Sequence, residues 1–236
     1  MRFSFDKIPD LSGKVAIVTG GNTGIGIITA RELARKNAHV FVASRSRDRG
    51  ESAVELIKKE TKNDAVEFLQ LDLQSLNSVK HAAETFLARK LPLHILPFAT
   101  TVDGIQDQFG TNHIGHFVFT LLLLPTIKAS APSRIVNTEL TRGVVADWGS
   151  WVKPIISLVG FFKLSADDGA LTQLYCATSP EIEEKNLRGL YFVPFGEVGE
   201  PSTQAKDEEL AKKLWDFSES FGKGKLGDDI FSKSFA

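Results

Sequence analysis

The sequence predicts an α/β fold, a doubly wound parallel sheet in a single domain. Two observations carry this. Short apolar runs alternate with segments of helical apolar spacing from Lys14 to Asn137. The first of those runs, Val15 to Val18, enters a glycine-rich turn that opens a helix, IITARELARK. Glycines fall at Gly20, Gly24 and Gly26, with Asn22, Thr23 and Ile25 between them. A strand feeding such a turn is a phosphate cradle. Gly20 permits a sharp turn, Gly24 a close approach of backbone to a pyrophosphate, and Gly26 close packing of the helix. The helix start then offers unpaired N–H groups and a positive dipole end to the phosphates.

The remaining elements follow in order. Val40 to Ala43 reads as a second buried strand, ending in SRSRDRG, with a helix over ESAVELIKKE. In such folds the end of the second strand reads the adenosine ribose, where an acidic residue suits NAD. Here stand Ser44 and Arg45, followed by Arg47 and Arg49. A guanidinium fork suits a 2′-phosphate, so the residues point to NADP(H) as cofactor. For Arg47 and Arg49 a solvated basic loop is the competing reading. A third strand, Val66 to Gln70, ends at Asp72, whose simplest role is helix capping alongside Ser75 or Ser78. The fourth strand is expected at Leu93 to Leu96 and the fifth at Ser133 to Asn137, flanking a long buried helix within TVDGIQDQFGTNHIGHFVFTLLLLPTIKAS. His113 and His116 on that helix lack a carboxylate nearby in sequence and read as packing histidines. Beyond Ala166 the chain reads as a helix ending at Pro180, a strand and loop in GLYFVPFGEVGEP, and an amphipathic helix in DEELAKKLWDFSESF. The last residues, GKGKLGDDIFSKSFA, carry no usable pattern and are expected to form a loose tail.

Composition narrows the function. The 236 residues are 42% hydrophobic and 24% charged, ordinary for a globular domain. A net charge of -1 gives no electrostatic case for nucleic acid. The single cysteine, Cys176, excludes an internal disulfide and suits a reducing compartment. No apolar run reaches membrane-spanning length, and charges occupy the N-terminus where a signal peptide needs its apolar core. A cytoplasmic protein is expected, with no metal site.

TGGNTGIG resembles the cofactor motif of the short-chain dehydrogenase/reductase family, and TNHIGHF is similar to a second family segment. The three segments after Ala166 resemble retinol-dehydrogenase-like and fungal members. The resemblance implies a Rossmann-type sheet and hydride transfer between a nicotinamide and an alcohol or carbonyl, with a small-molecule substrate. It implies that Asp72 faces the adenine and Thr138 holds the carboxamide. Asn112 would match the asparagine of the catalytic group, shaping its helix and holding a relay water. Residues 14–137 would form the nucleotide-binding core and 138–236 a truncated C-terminal portion.

The resemblance breaks in two places. The family's Asn-Asn-Ala-Gly should follow LHIL, yet PFATTVDG stands there. Its chemistry also needs a serine and a Tyr-x-x-x-Lys pair, whose spacing puts both side chains on one helix face. The chain has two tyrosines; Tyr175 is followed four residues later by Ser179, and Tyr191 by Phe195. RIVN passes directly into TELTRG, without the family's serine run. The sixth strand, the active-site helix and much of the usual subunit interface are thus expected to be missing, which leaves the oligomeric state open. Three readings stay open: a shortened product of an active reductase gene, an NADP-binding pseudoenzyme serving as an interaction or regulatory module, and catalysis by a substitute group. The loss would expose the fifth strand and the long helix. Trp148 to Phe162 is apolar enough to cover that surface; the resemblance implies a substrate lid there, suited to a lipophilic substrate or a membrane surface, and ordinary core packing is the competing reading.

Overall fold

The computed structural model describes residues 3–99, 110–138 and 165–232. Among these, β1 (Val15–Thr19), β2 (His39–Ser44), β3 (Val66–Gln70), β4 (Ile95–Ala99) and β5 (Arg134–Thr138) form a parallel sheet in the order β3-β2-β1-β4-β5. Every β1 residue is buried, which explains its unbroken apolar run. Strand alternation divides these residues between two cores. Ala16, Val18, Val40 and Val42 join one cluster, while Val15, Ile17, Phe41 and Ala43 join the other.

The first core is covered by α1 (Gly24–Arg35), α2 (Arg47–Thr61) and α5 (Ala166–Thr178). The second is covered by α3 (Leu76–Leu87) and α4 (His116–Ala129), which a π-helical turn, Gly110–Gly115, precedes. A short helix, α6 (Glu181–Glu184), leads to a two-stranded hairpin of β6 (Phe192–Val193) and β7 (Glu197–Val198). The chain then enters α7 (Glu208–Leu226).

Several sequence expectations shift. The fourth strand begins two residues later than expected, at Ile95, because His94 is held by its own contacts with Val15 at the strand entrance. Arg47 and Arg49 do not lie in a basic loop. They occupy the first turn of α2, whose cap is Ser46, accepting from the Arg49 N–H. Ser75 caps α3, and Ser78 instead accepts from the Asp72 N–H. The long buried helix is described only from Gly110, and Trp148 to Phe162 lies outside the described residues.

The C-terminal stretch is the largest correction. Helix α7 continues through Leu226, and a 3-10 turn (Asp228–Phe231) delivers Phe231 into the second core at 2% exposure. A Cβ on Gly222 would lie 2.9 Å from the Phe231 ring and 3.3 Å from Val118, so α7 closes tightly on α4 there. Trp215 meets Phe117 edge-on at 5.0 Å, and the Ser218 hydroxyl lies 2.9 Å from His113 Nε2. The long helix expected to be exposed is therefore partly covered by α7. The exposed fifth strand has a counterpart in Ile135, 43% exposed on β5.

Phe231→Ala should remove this anchor and cost about 3–5 kcal/mol, as Phe truncations in cores do. Urea unfolding should show a lower midpoint with the slope unchanged; an unaltered midpoint would mean the anchor carries no stability. The pH dependence should also carry the mark of His113, whose pKa burial pushes below the ordinary histidine value. Ser218 spends its proton on the Leu214 carbonyl, so His113 Nε2 donates to it, and burial favours the neutral ring. The contribution is complete above the unfolded value, about pH 6.5, and is lost as pH falls toward the lowered folded value. His113→Gln should flatten the stability curve below about pH 6.5 relative to the unaltered chain. Part of the slope should remain, because burial and the charge of Lys14 hold His94 down in the same sense.

Candidate cofactor-binding site

Since all five strands run parallel, their C-terminal ends share one edge of the sheet. The strand order reverses at β1, which pairs with both β2 and β4. This switch point opens a crevice at the carboxyl edge, the usual ligand site of such sheets.

The glycine turn stands at the centre of that edge. Gly20 has φ +63° and Gly24 φ +55°, a left-handed backbone that glycine adopts without strain. A Cβ on Gly26 would sit 2.2 Å from the Gly20 carbonyl oxygen and 3.1 Å from Gly21 Cα. The start of α1 thus lies directly on the turn backbone, and only hydrogen at Gly26 fits. Thr23 occupies the cap position, yet its side chain makes no capping bond. First-turn N–H groups are thereby left for an anion, with the helix dipole behind them. Ile25 contributes backbone only: its side chain is 3% exposed and packs where a Cβ on Gly169 of α5 would meet it at 2.4 Å. Asn22 lies half-buried in the loop.

Beneath the turn, Thr19 is fully buried and its hydroxyl lies 3.1 Å from His116 Nε2. This pair ties the end of β1 to the start of α4 and makes His116 a packing histidine. A Cβ on Gly115 would lie 2.4 Å from the Leu73 carbonyl oxygen, so the π-helical turn closes on the loop after β3. Such turns occur often at functional sites. This one carries Asn112, whose side chain lies outside the described residues.

At the end of β2, Ser44 is buried and donates to the Ser46 carbonyl, holding the entry to α2. Arg45 is exposed beside it, its guanidinium donating to Gln74 Oε1 at 3.1 Å. Gln70 donates to the Arg45 carbonyl at 2.6 Å. These two glutamines orient Arg45, and sequence reading missed them; their signal is their position around the LDL segment after β3. Arg47 is engaged elsewhere, paired with Glu51 and placed over the Phe68 ring. Asp72 lies at the next strand end, and its carboxylate accepts from the Gln74 N–H at 3.0 Å. Thr138 is the last residue of β5 on the same edge, its side chain outside the described residues.

The candidate residues thus share one edge, with the glycine turn between the Arg45 end and the Thr138 end. A dinucleotide fits this arrangement, because the Gly26 contact leaves a bare backbone cradle where phosphates would lie. No group of His, Cys, Asp and Glu able to hold a metal occurs among the described residues. Burial pushes the Cys176 thiol up to about 11, so it offers no nucleophile at neutral pH.

Comparison with known proteins agrees with this geometry. A family model described as short chain dehydrogenase matches residues 14–150. A short-chain dehydrogenase/reductase of Armillaria gallica is 33% identical over 290 residues, covering 92% of this chain and 93% of its own. Retinol dehydrogenase 12 of Mus musculus is 48% identical over 275 residues, covering 88% and 86%. Both alignments are longer than the 236-residue chain, so both relatives hold internal stretches without a counterpart here. Among solved structures, an uncharacterized protein from Mycobacterium paratuberculosis superposes with TM-score 0.65 and 24% identity, covering 94% of this chain and 98% of its own. A metagenomic short-chain oxidoreductase in complex with NADP gives TM-score 0.59 and 19% identity, covering 73% and 94%.

Gly26→Ala should force α1 off the turn. A folded variant should lose nucleotide-induced thermal stabilisation, and its stability should fall by about 1–3 kcal/mol, the usual range for overpacking. A melt that still rises with nucleotide would show that the close approach is dispensable.

Proposed function

The chain belongs to the short-chain dehydrogenase/reductase family as a retinol-dehydrogenase-like member, and from that premise we propose that it binds NADP(H) along the carboxyl edge of its sheet. The backbone of Gly20, Gly24, Ile25 and Gly26 would carry the pyrophosphate, with Asn22 and Thr23 bordering it. Arg45 would read the 2′-phosphate, Asp72 the adenine and Thr138 the carboxamide. Ser44 would contribute by shaping the loop, since its hydroxyl is already bonded to Ser46. When bound, the nicotinamide supplies or accepts a hydride. The substrate class would be a lipophilic alcohol or carbonyl compound, by analogy with relatives named retinol dehydrogenases.

The same reading holds that this chain turns over little or no substrate. The positions of its two tyrosines carry that conclusion. Tyr175 is 8% exposed and donates to Glu181 Oε2. It follows Gly169, the contact of Ile25, by six residues along α5, about 9 Å toward the opposite edge of the sheet. Burial, then the neighbouring Glu181 charge, push its pKa up, whereas proton transfer near neutral pH needs a lowered value. Tyr191 is 53% exposed beside the β6–β7 hairpin. Neither tyrosine has a lysine four residues on. The non-catalytic reading, an NADP-binding module with a regulatory or interaction role, rests on the same positions.

Thermal unfolding with NADPH and with NADH tests the binding. A folded binder should gain about 2.7 kcal/mol with ligand at a hundred times its dissociation constant. Arg45→Ala should weaken NADPH about tenfold or more and leave NADH nearly unchanged, as loss of a charge-assisted bond requires. A response indifferent to the nucleotide would overturn NADP preference. Reduction of lipophilic aldehydes with NADPH, abolished by Gly24→Arg, would overturn the inactivity.

A further inference from the structure

A cavity of about 200 Å³ lies at the opposite edge of the sheet, where β1, β4 and β5 begin. Five residues of β1 separate it from the glycine turn, about 17 Å along the strand. The volume exceeds that of several waters, at about 30 Å³ each, and is smaller than the ~300 Å³ where drug-sized pockets begin. Its walls are mixed, with Leu11, Ile95, Pro132 and Ala177 forming an apolar part.

The polar groups lining it are unequal in their commitments. Arg134 is bound to Glu183 at 2.9 Å and directed to the Cys176 carbonyl at 3.4 Å. Asp10 accepts from Asn37 at 2.7 Å and from Ser12 at 3.0 Å. Lys14 is half-buried, and no carboxylate among the described residues lies within ion-pair distance of it. His94 accepts the Val15 N–H on Nδ1 at 3.1 Å, so its neutral ring carries the remaining proton on Nε2. Burial and the Lys14 charge keep the ring in that neutral form. Lys14 and the neutral His94 ring therefore line a cavity of mixed walls, beside the Arg134–Glu183 pair and an Asp10 carboxylate held by the neutral donors Asn37 and Ser12.

We propose that this cavity binds a small apolar monocarboxylate, its carboxylate held by Lys14 and by the Nε2–H of His94 and its body against Leu11, Ile95, Pro132 and Ala177. The apolar walls distinguish such a ligand from inorganic phosphate, which would leave them against a hydrated ion. Lys14 supplies the charge, and His94 is fixed in direction by its bond to the β1 backbone. The site is separate from the dinucleotide edge, so it does not rest on NADP(H) binding.

Calorimetric titration of the full chain without nucleotide tests this, using benzoate as probe, benzamide as its neutral isostere, and phosphate. Saturable millimolar binding of benzoate is expected, at least about tenfold tighter than benzamide or phosphate, the scale of one charge-assisted hydrogen bond. Lys14→Met keeps the aliphatic stem and should weaken benzoate about tenfold or more. His94→Asn retains an acceptor for the Val15 N–H, loses the Nε2 donor, and should weaken it severalfold. Lys59→Met, exposed on α2, should change nothing. Where a variant fails to fold, the His94 ring resonances of the unaltered chain should shift on benzoate addition and not on benzamide addition. Absence of saturable binding, equal binding of benzamide or phosphate, an unaffected Lys14→Met, unmoved His94 resonances, or competition by NADPH would overturn the proposal.

Discussion

The contact between Gly26 and the Gly20–Gly21 backbone sets the position of everything at the carboxyl edge. With a separation that leaves no room for a Cβ, α1 has one seating on β1. That seating places the first-turn N–H groups over the crevice and directs Ile25 down against Gly169 of α5. Two further close approaches stand beside it. Gly115 meets the Leu73 carbonyl, and Thr19 meets His116. Backbone is packed against backbone around the crevice, which fixes it as a shape before any ligand arrives.

Helix α5 links this edge to the opposite one. At one end it receives Ile25 through Gly169; at the other it presents Ala177 and Thr178 to the cavity beside His94. Between them it carries Gln173, a buried amide. Gln173 is 1% exposed, and among the described residues neither its amide atoms nor the Thr29 hydroxyl of α1 has a partner. Each such group costs about 1–3 kcal/mol relative to a bonded one. The α1–α5 contact is built on apolar residues, Ile25, Ala170 and Leu174 among them.

What the sequence made legible follows from whether the signal is local. Buried parallel strands are continuous apolar runs, so β1, β2 and β3 could be read to within a residue or two. The glycine turn was legible because the strand before it and the helix after it confine what the glycines do. The partners of Arg45 were not found, since Gln70 ends β3 and Gln74 lies in the turn after it, and only their position around the LDL segment marks them. Nor was Phe231, a lone aromatic in a polar stretch whose burial depends on α7 meeting α4 at Gly222. His113 was recognisable as a packing residue, but its partner Ser218 lies 105 positions away.

Nucleotide binding and proton transfer are separable in this architecture because different parts of the chain supply them. The cradle, the Arg45 corner and the Asp72 turn all come from strand ends before Leu73, each fixed by its own strand and following helix. A tyrosine and lysine one helical turn apart can act only if a helix after β5 carries them to the same crevice. The chain's tyrosines instead lie low on α5 and beside the hairpin, serving packing and solvent. Among the described residues the earlier contacts stand by themselves, because α5 covers the first core and α7, with Phe231, closes on α4. On the proposed reading, a chain of this kind keeps the cradle for a dinucleotide and carries no Tyr-x-x-x-Lys pair to use it.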